Sequence, residues 1–285
     1  MFVHPVIKGI VFLTRFGDTR LTERLTKRIC NAGVLPGMSG LHGVYGALER
    51  VSDHLHQPDS DTPRQVLWRI YAGRAVLAAG ATERPIAFEN NDRPGIMLGS
   101  AVRSYVNRFA AAPAQDIAVF TATDEGHQTA LDLMAKGVRV AAVIDPRETA
   151  EAKGDYTLLT GAEVVDTKGR LGLRSVTVRL ASGATKDIPC GALAVSGGWN
   201  PNVHLTCHQR GHPVWRDDIA AFVPGDTLPP GLHLAGAVTG AFSTAAALQS
   251  GQDAARAALD LTGALPDLPQ AEDTAVEITP FWVVE

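Results

Sequence analysis

Asp116-Ile-Ala-Val-Phe-Thr121, followed by Gly126–Lys136 and then Val138–Ile144, is the stretch that decides the fold. The first run is apolar and has the length of a buried strand. In the second, Ala130, Leu131 and Met134 recur at helical spacing, and Gly137 stands where a helix end needs a left-handed residue. The third run is apolar again. Tight turns join antiparallel strands, whereas parallel strands need a crossover of a dozen or more residues. Strand, helix and strand of these lengths therefore predict a βαβ unit with a right-handed crossover in a doubly wound sheet.

The pattern extends in both directions. Upstream, Met97–Arg108 reads as an amphipathic helix after Pro94. Arg74–Ala79 is an apolar strand ending at Gly80, and Gln65–Tyr71 alternates like a strand. Asp59–Pro63 is a polar turn. Val44–Leu55 is compatible with strand or helix, Ile10–Leu13 with a strand and Thr22–Ile29 with a basic helix, while 33–40 is rich in turn residues. Downstream, residues 148–160 are expected to be helical. Glu163–Val165, Leu173–Leu180 and Thr185–Ile188 read as short strands, the last two joined through Ser182-Gly183. Leu193–Ser196 and Leu232–Ala235 are further core strands. Ser243–Thr262 reads as a helix with Ser243 as N-cap and Gly263 as stop.

Composition narrows the function classes. The 285 residues are 45% hydrophobic and 20% charged, ordinary for a globular chain. A net charge of −4 gives no electrostatic reason to expect nucleic acid or an anionic membrane as partner. Cys30, Cys190 and Cys207 are far apart and odd in number, which fits a reducing cytoplasm better than a disulfide framework. No apolar run approaches the roughly 20 residues of a membrane span. Val6–Leu13 is short and interrupted by Lys8 and Gly9, so it is not read as a signal peptide.

Three segments carry ligand chemistry. Val76–Pro85 is a strand ending at Gly80, where backbone approaches whatever lies beyond the carboxyl ends of a parallel sheet; the alternative is a buried strand and a plain glycine turn. Leu232-His-Leu-Ala-Gly-Ala-Val-Thr-Gly240 runs through small residues into the helix opened by Phe242-Ser-Thr244. Free amides and the positive dipole end there favour phosphate, and Gly236 and Ala237 let a pyrophosphate or ribose come close; the alternative is a capped strand–helix turn. In Leu193–Asn202, Trp199 and Asn200 mark a return from an inserted domain, with a structural turn as an equal reading.

A dinucleotide domain should also open with a strand, Gly-x-Gly-x-x-Gly and a helix. Residues 1–42 contain no such run, and the turn after Thr121 is Ala-Thr-Asp-Glu-Gly126, with one glycine. Asp124 and Glu125 suit the helix dipole but repel a pyrophosphate. The second domain is therefore expected to be nucleotide-like in fold and empty. Asp145, placed where a ribose-binding acid would sit, is read as a helix cap.

His204-Leu-Thr-Cys-His-Gln-Arg-Gly-His212 has ligand-like residues, but Gly211 and Pro213 break the helix before His212, so no metal site is assigned. No catalytic residue is assigned from spacing. The Arg103–Arg108 face is either solvated or a partner surface.

Together, Val44–Leu55, Thr62-Pro-Arg-Gln65, Leu77–Pro85, Asn91-Asp-Arg-Pro-Gly-Ile-Met-Leu98, Tyr105-Val-Asn-Arg108, Ser196–Asn202 and Asp273–Val284 resemble the alpha subunit of heterotetrameric sarcosine oxidase, from about residue 43 onward. The resemblance implies an α/β, glutathione reductase-like fold with two dinucleotide-binding domains and three-layer sheets, incomplete here. It divides the chain into an atypical start at 1–42, a first domain at 43–95 and 191–263, an inserted second domain at 96–190, and at 264–285 the start of a following domain. It implies a complex with beta, gamma and delta subunits that oxidatively demethylates sarcosine to glycine, releasing peroxide and passing one carbon to tetrahydrofolate. Flavin, FMN or FAD, does the oxidation there, and NAD is held by the alpha subunit. On this chain the matching NAD positions are Gly236, Ala237, Phe242 and Thr244, with Gly80, at the end of the Arg74–Ala79 strand, as a further cofactor contact. The glycine-rich start and the folate-binding domain have no counterpart in the sequence, and a truncated or frame-disrupted gene is the simplest account. The chain alone is expected to hold NAD weakly and to turn over no sarcosine. An opine- or amino-acid dehydrogenase subunit and a nonfunctional scaffold are the competing readings.

Overall fold

The computed structural model describes residues 2–6, 10–14, 48–54, 65–70, 73–207, 210–271 and 278. They fall into two units: Met1–Gly80 with Pro201–Val214 and Val223–Asp273, and Ala81–Asn200 with Trp215–Phe222 and Thr274–Glu285.

The first unit begins with β1 (Phe2–Val6) and β2 (Ile10–Thr14), paired antiparallel. β3 (Leu48–His54) and β4 (Gln65–Ile70) form a second antiparallel pair. Val44–Leu55, open between strand and helix in the sequence, is thus a strand over 48–54; the expectations at Thr22–Ile29, 33–40 and Asp59–Pro63 lie outside the described residues. β5 (Arg74–Leu77) runs parallel to β2.

The chain then builds the second unit. β6 (Ala81–Glu83) leads to β7 (Ile96–Leu98) and α1 (Gly99–Phe109). β8 (Asp116–Thr121), α2 (Asp124–Ala135) and β9 (Arg139–Asp145) are the expected βαβ unit, with β8 and β9 parallel. Gly137 ends the crossover helix at φ 74°. β10 (Leu158–Thr160), β9, β8, β14 (Ala192–Ser196) and β7 make one wholly parallel five-stranded sheet. β11 (Glu163–Lys168), β12 (Ser175–Arg179) and β13 (Thr185–Pro189) form an antiparallel sheet, with β12 and β13 joined through the expected Ser182-Gly183 turn.

Strand alternation explains how these layers stack, since successive side chains leave a strand on opposite faces. Ile117 and Val119 of β8 pack with Val102 and Val106 of α1 and Ala130 and Leu133 of α2. Ala118 and Phe120 face the other way, onto Val164, Val176, Val178 and Ile188 of the antiparallel sheet. Helices, parallel sheet and antiparallel sheet are therefore the three layers, and the third is built of strands where a doubly wound sheet would have helices. Burial of each of the large side chains contributes about 1.5–3 kcal/mol.

Two expectations are corrected. Residues 148–160 contain no helix: the chain bends through 149–157 and then forms β10. Local helix formers such as Glu151-Ala-Lys153 are overridden because Arg147, Lys153 and Tyr156 are drawn into a polar cluster described below. β14, put in the first domain by a boundary at residue 191, is a central strand of the second unit's sheet, between β8 and β7; an apolar strand carries no mark of which sheet it joins.

The chain continues through β15 (Trp199–Pro201), β16 (Pro213–Arg216) and β17 (Ala221–Pro224) to β18 (Leu232–Leu234), which adds to β5 in parallel. α3 (Thr244–Leu259) covers this edge, burying Ala254 and Ala258, four residues apart, with Val76 and Ala235. α3 stops at Asp260, at φ 51°, and not at Gly263. The reason is Arg74 of β5. Its guanidinium donates to Ala258 O at 2.6 Å and to Asp260 Oδ2 at 2.5 Å, satisfying a last-turn carbonyl and fixing the left-handed residue. Among the described residues no helix is long and apolar enough to cross a membrane.

Candidate functional site

The expected dinucleotide turn lies in the first unit, at the carboxyl ends of neighbouring parallel strands. β5 leads to Gly80, at φ 71°, and β18 leads through Ala235 to Gly236, at φ 73°. Among the described residues, a Cβ built on either glycine meets no atom within 4 Å. The Ala235 amide donates to Leu77 O at 3.0 Å, which locks the two strand ends together. Asn202 holds the Gly80 turn: its amide donates to Gly80 O at 3.0 Å and its Nδ2 to Ala79 O at 2.8 Å.

Beyond Gly236 a one-turn 3₁₀ helix spans Gly236–Thr239, and Gly240, at φ 85°, turns the chain towards α3. Ser243 is the N-cap, as expected, its Oγ accepting from the Ala246 amide at 3.1 Å. The amides of Thr244 and Ala245, in the first helical turn, have no acceptor within the helix, and the positive dipole end coincides with them. Thr244 is exposed and Phe242 half-buried. The structure thus gathers Gly80, Gly236, Ala237, Phe242 and Thr244 into one unit, around two adjacent strand ends and one helix start.

One partner was not anticipated. The Gly236 amide donates to Ser250 Oγ at 3.0 Å, so it is not free to receive a phosphate; only the presence of a small polar residue in an alanine-rich helix hinted at Ser250. Among the described residues this half of the turn fits a pyrophosphate, because nothing covers the backbone at either glycine and the first amides of α3 have no acceptor within the helix. β2 lies parallel to β5 on the side away from β18, the position from which a glycine-rich opening turn would issue. The residues that follow β2 lie outside the described residues until 48, and in sequence they lack the Gly-x-Gly-x-x-Gly run.

The second unit repeats the topology with different chemistry. Position by position, Thr121-Ala-Thr-Asp-Glu-Gly126 puts threonines where a dinucleotide turn has its first two glycines and keeps the third. Gly126 retains the packing role: a Cβ there would overlap the side chain of Thr121. Thr121 Oγ1 accepts from the Thr123 amide at 3.0 Å and donates to Thr123 O at 2.9 Å. The turn is therefore closed on itself, with a backbone amide consumed that a phosphate would need.

Asp145 is not a helix cap. It is buried at the end of β9 and receives His127 Nε2 at 2.9 Å, with Arg147 donating from its backbone amide at 2.9 Å, from Nε at 3.0 Å and from Nη2 at 2.7 Å. Arg147 Nη1 also donates to Asp124 Oδ1 at 2.8 Å, and Lys153 Nζ to Asp124 Oδ2 at 2.9 Å. His127 Nδ1 lies 2.8 Å from Tyr156 Oη, which in turn accepts from the Lys153 amide at 2.9 Å. Burial pushes the Asp145 carboxyl up, but the donors from His127 and Arg147 together outweigh it and hold it below the usual range. Asp124 behaves alike, burial being outweighed by Lys153 and Arg147. Glu125 moves the other way: burial raises it, helped by the nearby Glu83 charge and opposed by the Trp199 indole, which donates to Glu125 Oε2.

Of the other candidates, Asn200 Oδ1 accepts from Arg84 Nε at 3.1 Å, so Trp199 and Asn200 both make structural contacts inside the second unit. Arg103 pairs with Asp132 at 2.7 Å across the two helices of that unit. His204 lies in a single 3₁₀ turn at Val203–Leu205, whereas His208 lies outside the described residues. Among the described residues no three His, Cys, Asp or Glu are grouped to hold a metal.

No family model matches the chain. Among curated proteins, it is 44% identical over 216 residues to the sarcosine oxidase subunit alpha of Rhizobium meliloti (strain 1021), covering 75% of this chain and 22% of that protein. It is 42% identical over 255 residues to the sarcosine oxidase subunit alpha of Corynebacterium sp. (strain P-1), covering 84% and 26%. Among solved structures, L-proline dehydrogenase from P. horikoshii superposes with a TM-score of 0.51 at 19% identity, over 69% of this chain and 36% of that one. Thioredoxin reductase from T. acidophilum also gives 0.51, at 14% identity, over 70% and 69%. The chain spans about a quarter of the length of the curated relatives it matches. It is thus a partial relative of the sarcosine oxidase alpha subunits, built on the fold of the FAD/NAD(P)-binding oxidoreductases.

Proposed function

We propose that this chain is the dinucleotide-holding part of an oxidoreductase subunit of the sarcosine oxidase type, and that the nucleotide it takes is NAD. The observation that carries the reading is the turn from β18 through Gly236 to the Ser243-capped start of α3, set beside Gly80 at the end of β5. Gly80 and Gly236, lacking side chains, would let the pyrophosphate approach, and the Ala237 backbone and the first amides of α3 would cradle it, with the Thr244 hydroxyl and the Phe242 side chain beside it. NAD, when bound, supplies a nicotinamide able to exchange a hydride. The chain's own part is to orient it and neutralise its phosphates.

In the full assembly the amine would be sarcosine, oxidised at FMN or FAD carried with beta, gamma and delta subunits, and the one-carbon unit would pass to tetrahydrofolate. The identity to the alpha subunits of two organisms favours this over an opine- or amino-acid dehydrogenase subunit.

Calorimetric titration of the purified chain with NAD tests the site. Saturable, weak binding is expected, with a loss of about tenfold or more, at least about 1.4 kcal/mol, on Gly236→Val. Binding unchanged by that substitution, or no saturable binding, would sink the assignment. The chain alone is expected to release no peroxide from sarcosine; steady peroxide formation without added subunits would contradict this.

A further inference from the structure

We infer that the ligand mouth of the second unit is no nucleotide site, and that the chain's own Ile278 occupies it. Three features meet there. The Thr121–Thr123 turn satisfies its own amide through the Thr121 hydroxyl. The acid at the end of β9 and the basic residue after it are joined to each other and to His127 and Asp124, so none faces outward for a ribose or a phosphate.

The third feature comes from the far end of the sequence. Ile278 forms an antiparallel bridge with Thr123, the residue that starts α2. Its side chain lies over Gly198, where a Cβ would overlap Ile278 Cδ1 and approach Thr123 Cγ2. Gly198, at φ 94°, follows β14, the strand beside β8, so Ile278 lies across the ends of two adjacent parallel strands. That is where a doubly wound sheet receives its ligand. An apolar side chain and a backbone pairing therefore take the place that a nicotinamide dinucleotide would need. This inference does not depend on the first unit's NAD site, since every residue named belongs to the second unit.

Hydrogen–deuterium exchange on the whole chain separates the two. Peptides covering 121–127 are expected to exchange slowly in the intact chain and about tenfold faster in Ile278→Asp, while 139–145, inside β9, keeps its protection. Saturating NADH or NADPH is expected to leave 121–127 unchanged in both. If Ile278→Asp also exposes 139–145, the unit has unfolded, and Ile278→Ala is used to read the same local acceleration. Unaltered exchange at 121–127 in a folded Ile278 variant overturns the occupancy by Ile278, and protection of 121–127 by NADPH in the intact chain overturns the absence of a nucleotide site. Failure of the first unit to bind NAD would leave all of these readings intact.

Discussion

His127 Nε2 stands 2.9 Å from Asp145 Oδ2, and neither side chain is more than 1% exposed. The pair joins the first turn of α2 to the end of β9, and Arg147 donates to both carboxylate oxygens, from Nε to Oδ1 at 3.0 Å and from Nη2 to Oδ2 at 2.7 Å.

Stability should therefore depend on acid in a defined way. Asp145 is held below the ordinary carboxylate range, so its contribution is complete above the unfolded value of about 3.9 and is lost as pH falls through its folded value. Asp145→Asn leaves Arg147 buried with less compensation and should cost about 3 kcal/mol near neutrality, within the range for breaking buried pairs. Denaturant melts at several pH values check both points. The variant's stability should fall less steeply below pH 4, and an acid limb as steep as in the parent would rule Asp145 out as its source.

Gly126→Ala places a methyl against Thr121, which sits across the strand–helix turn. Overpacking of this kind costs about 1–3 kcal/mol. Thr121→Gly makes room, so a double-mutant cycle should show strong coupling, with the pair more stable than the sum of the singles. Additive effects would mean that the two residues do not compete for the same space.

Ser250→Ala removes the acceptor of the Gly236 amide and should cost about 1 kcal/mol of stability. It touches none of the amides proposed to receive a phosphate, so NAD affinity should hold within about twofold, a change of roughly 0.4 kcal/mol. Calorimetry on the variant checks this; a loss as large as that of Gly236→Val would show that Ser250 shapes the site itself.

Arg74→Met keeps an apolar stem on β5 but drops the bonds to Ala258 O and Asp260. The ion pair is largely exposed and worth little, and the carbonyl bond contributes about 1 kcal/mol. Exchange at the last turn of α3 should accelerate while that of its first turns stays unchanged. Uniform acceleration along α3 would place the role of Arg74 in sheet packing.

Local patterns made much of this structure legible in advance. Asp116–Ile144 announced its strand, helix and strand by periodicity, and Ser243 announced a helix start by its side chain. Gly80 and Gly236 were recognisable because small residues followed apolar strands. The failures share one cause. Residues 148–160 have helix-forming composition, yet Arg147 and Lys153 reach Asp124 and Tyr156 reaches His127, 23 to 29 positions away. Asp145 looked like a cap because one of its partners, His127, lies 18 positions away. Ile278 lies 155 positions from Thr123, and no periodicity connects them.

The doubling of Thr121 and Arg147 as both obstacle and support makes the second unit hard to convert to nucleotide binding. Replacing Thr121 by glycine frees an amide but removes a packing surface; removing Arg147 opens a space but takes donors from the buried Asp145 and the half-buried Asp124. A half-satisfied buried network is worse than a complete one or none. Each single step towards a nucleotide-binding turn therefore crosses a less stable protein, and only concerted replacement of these residues avoids that loss.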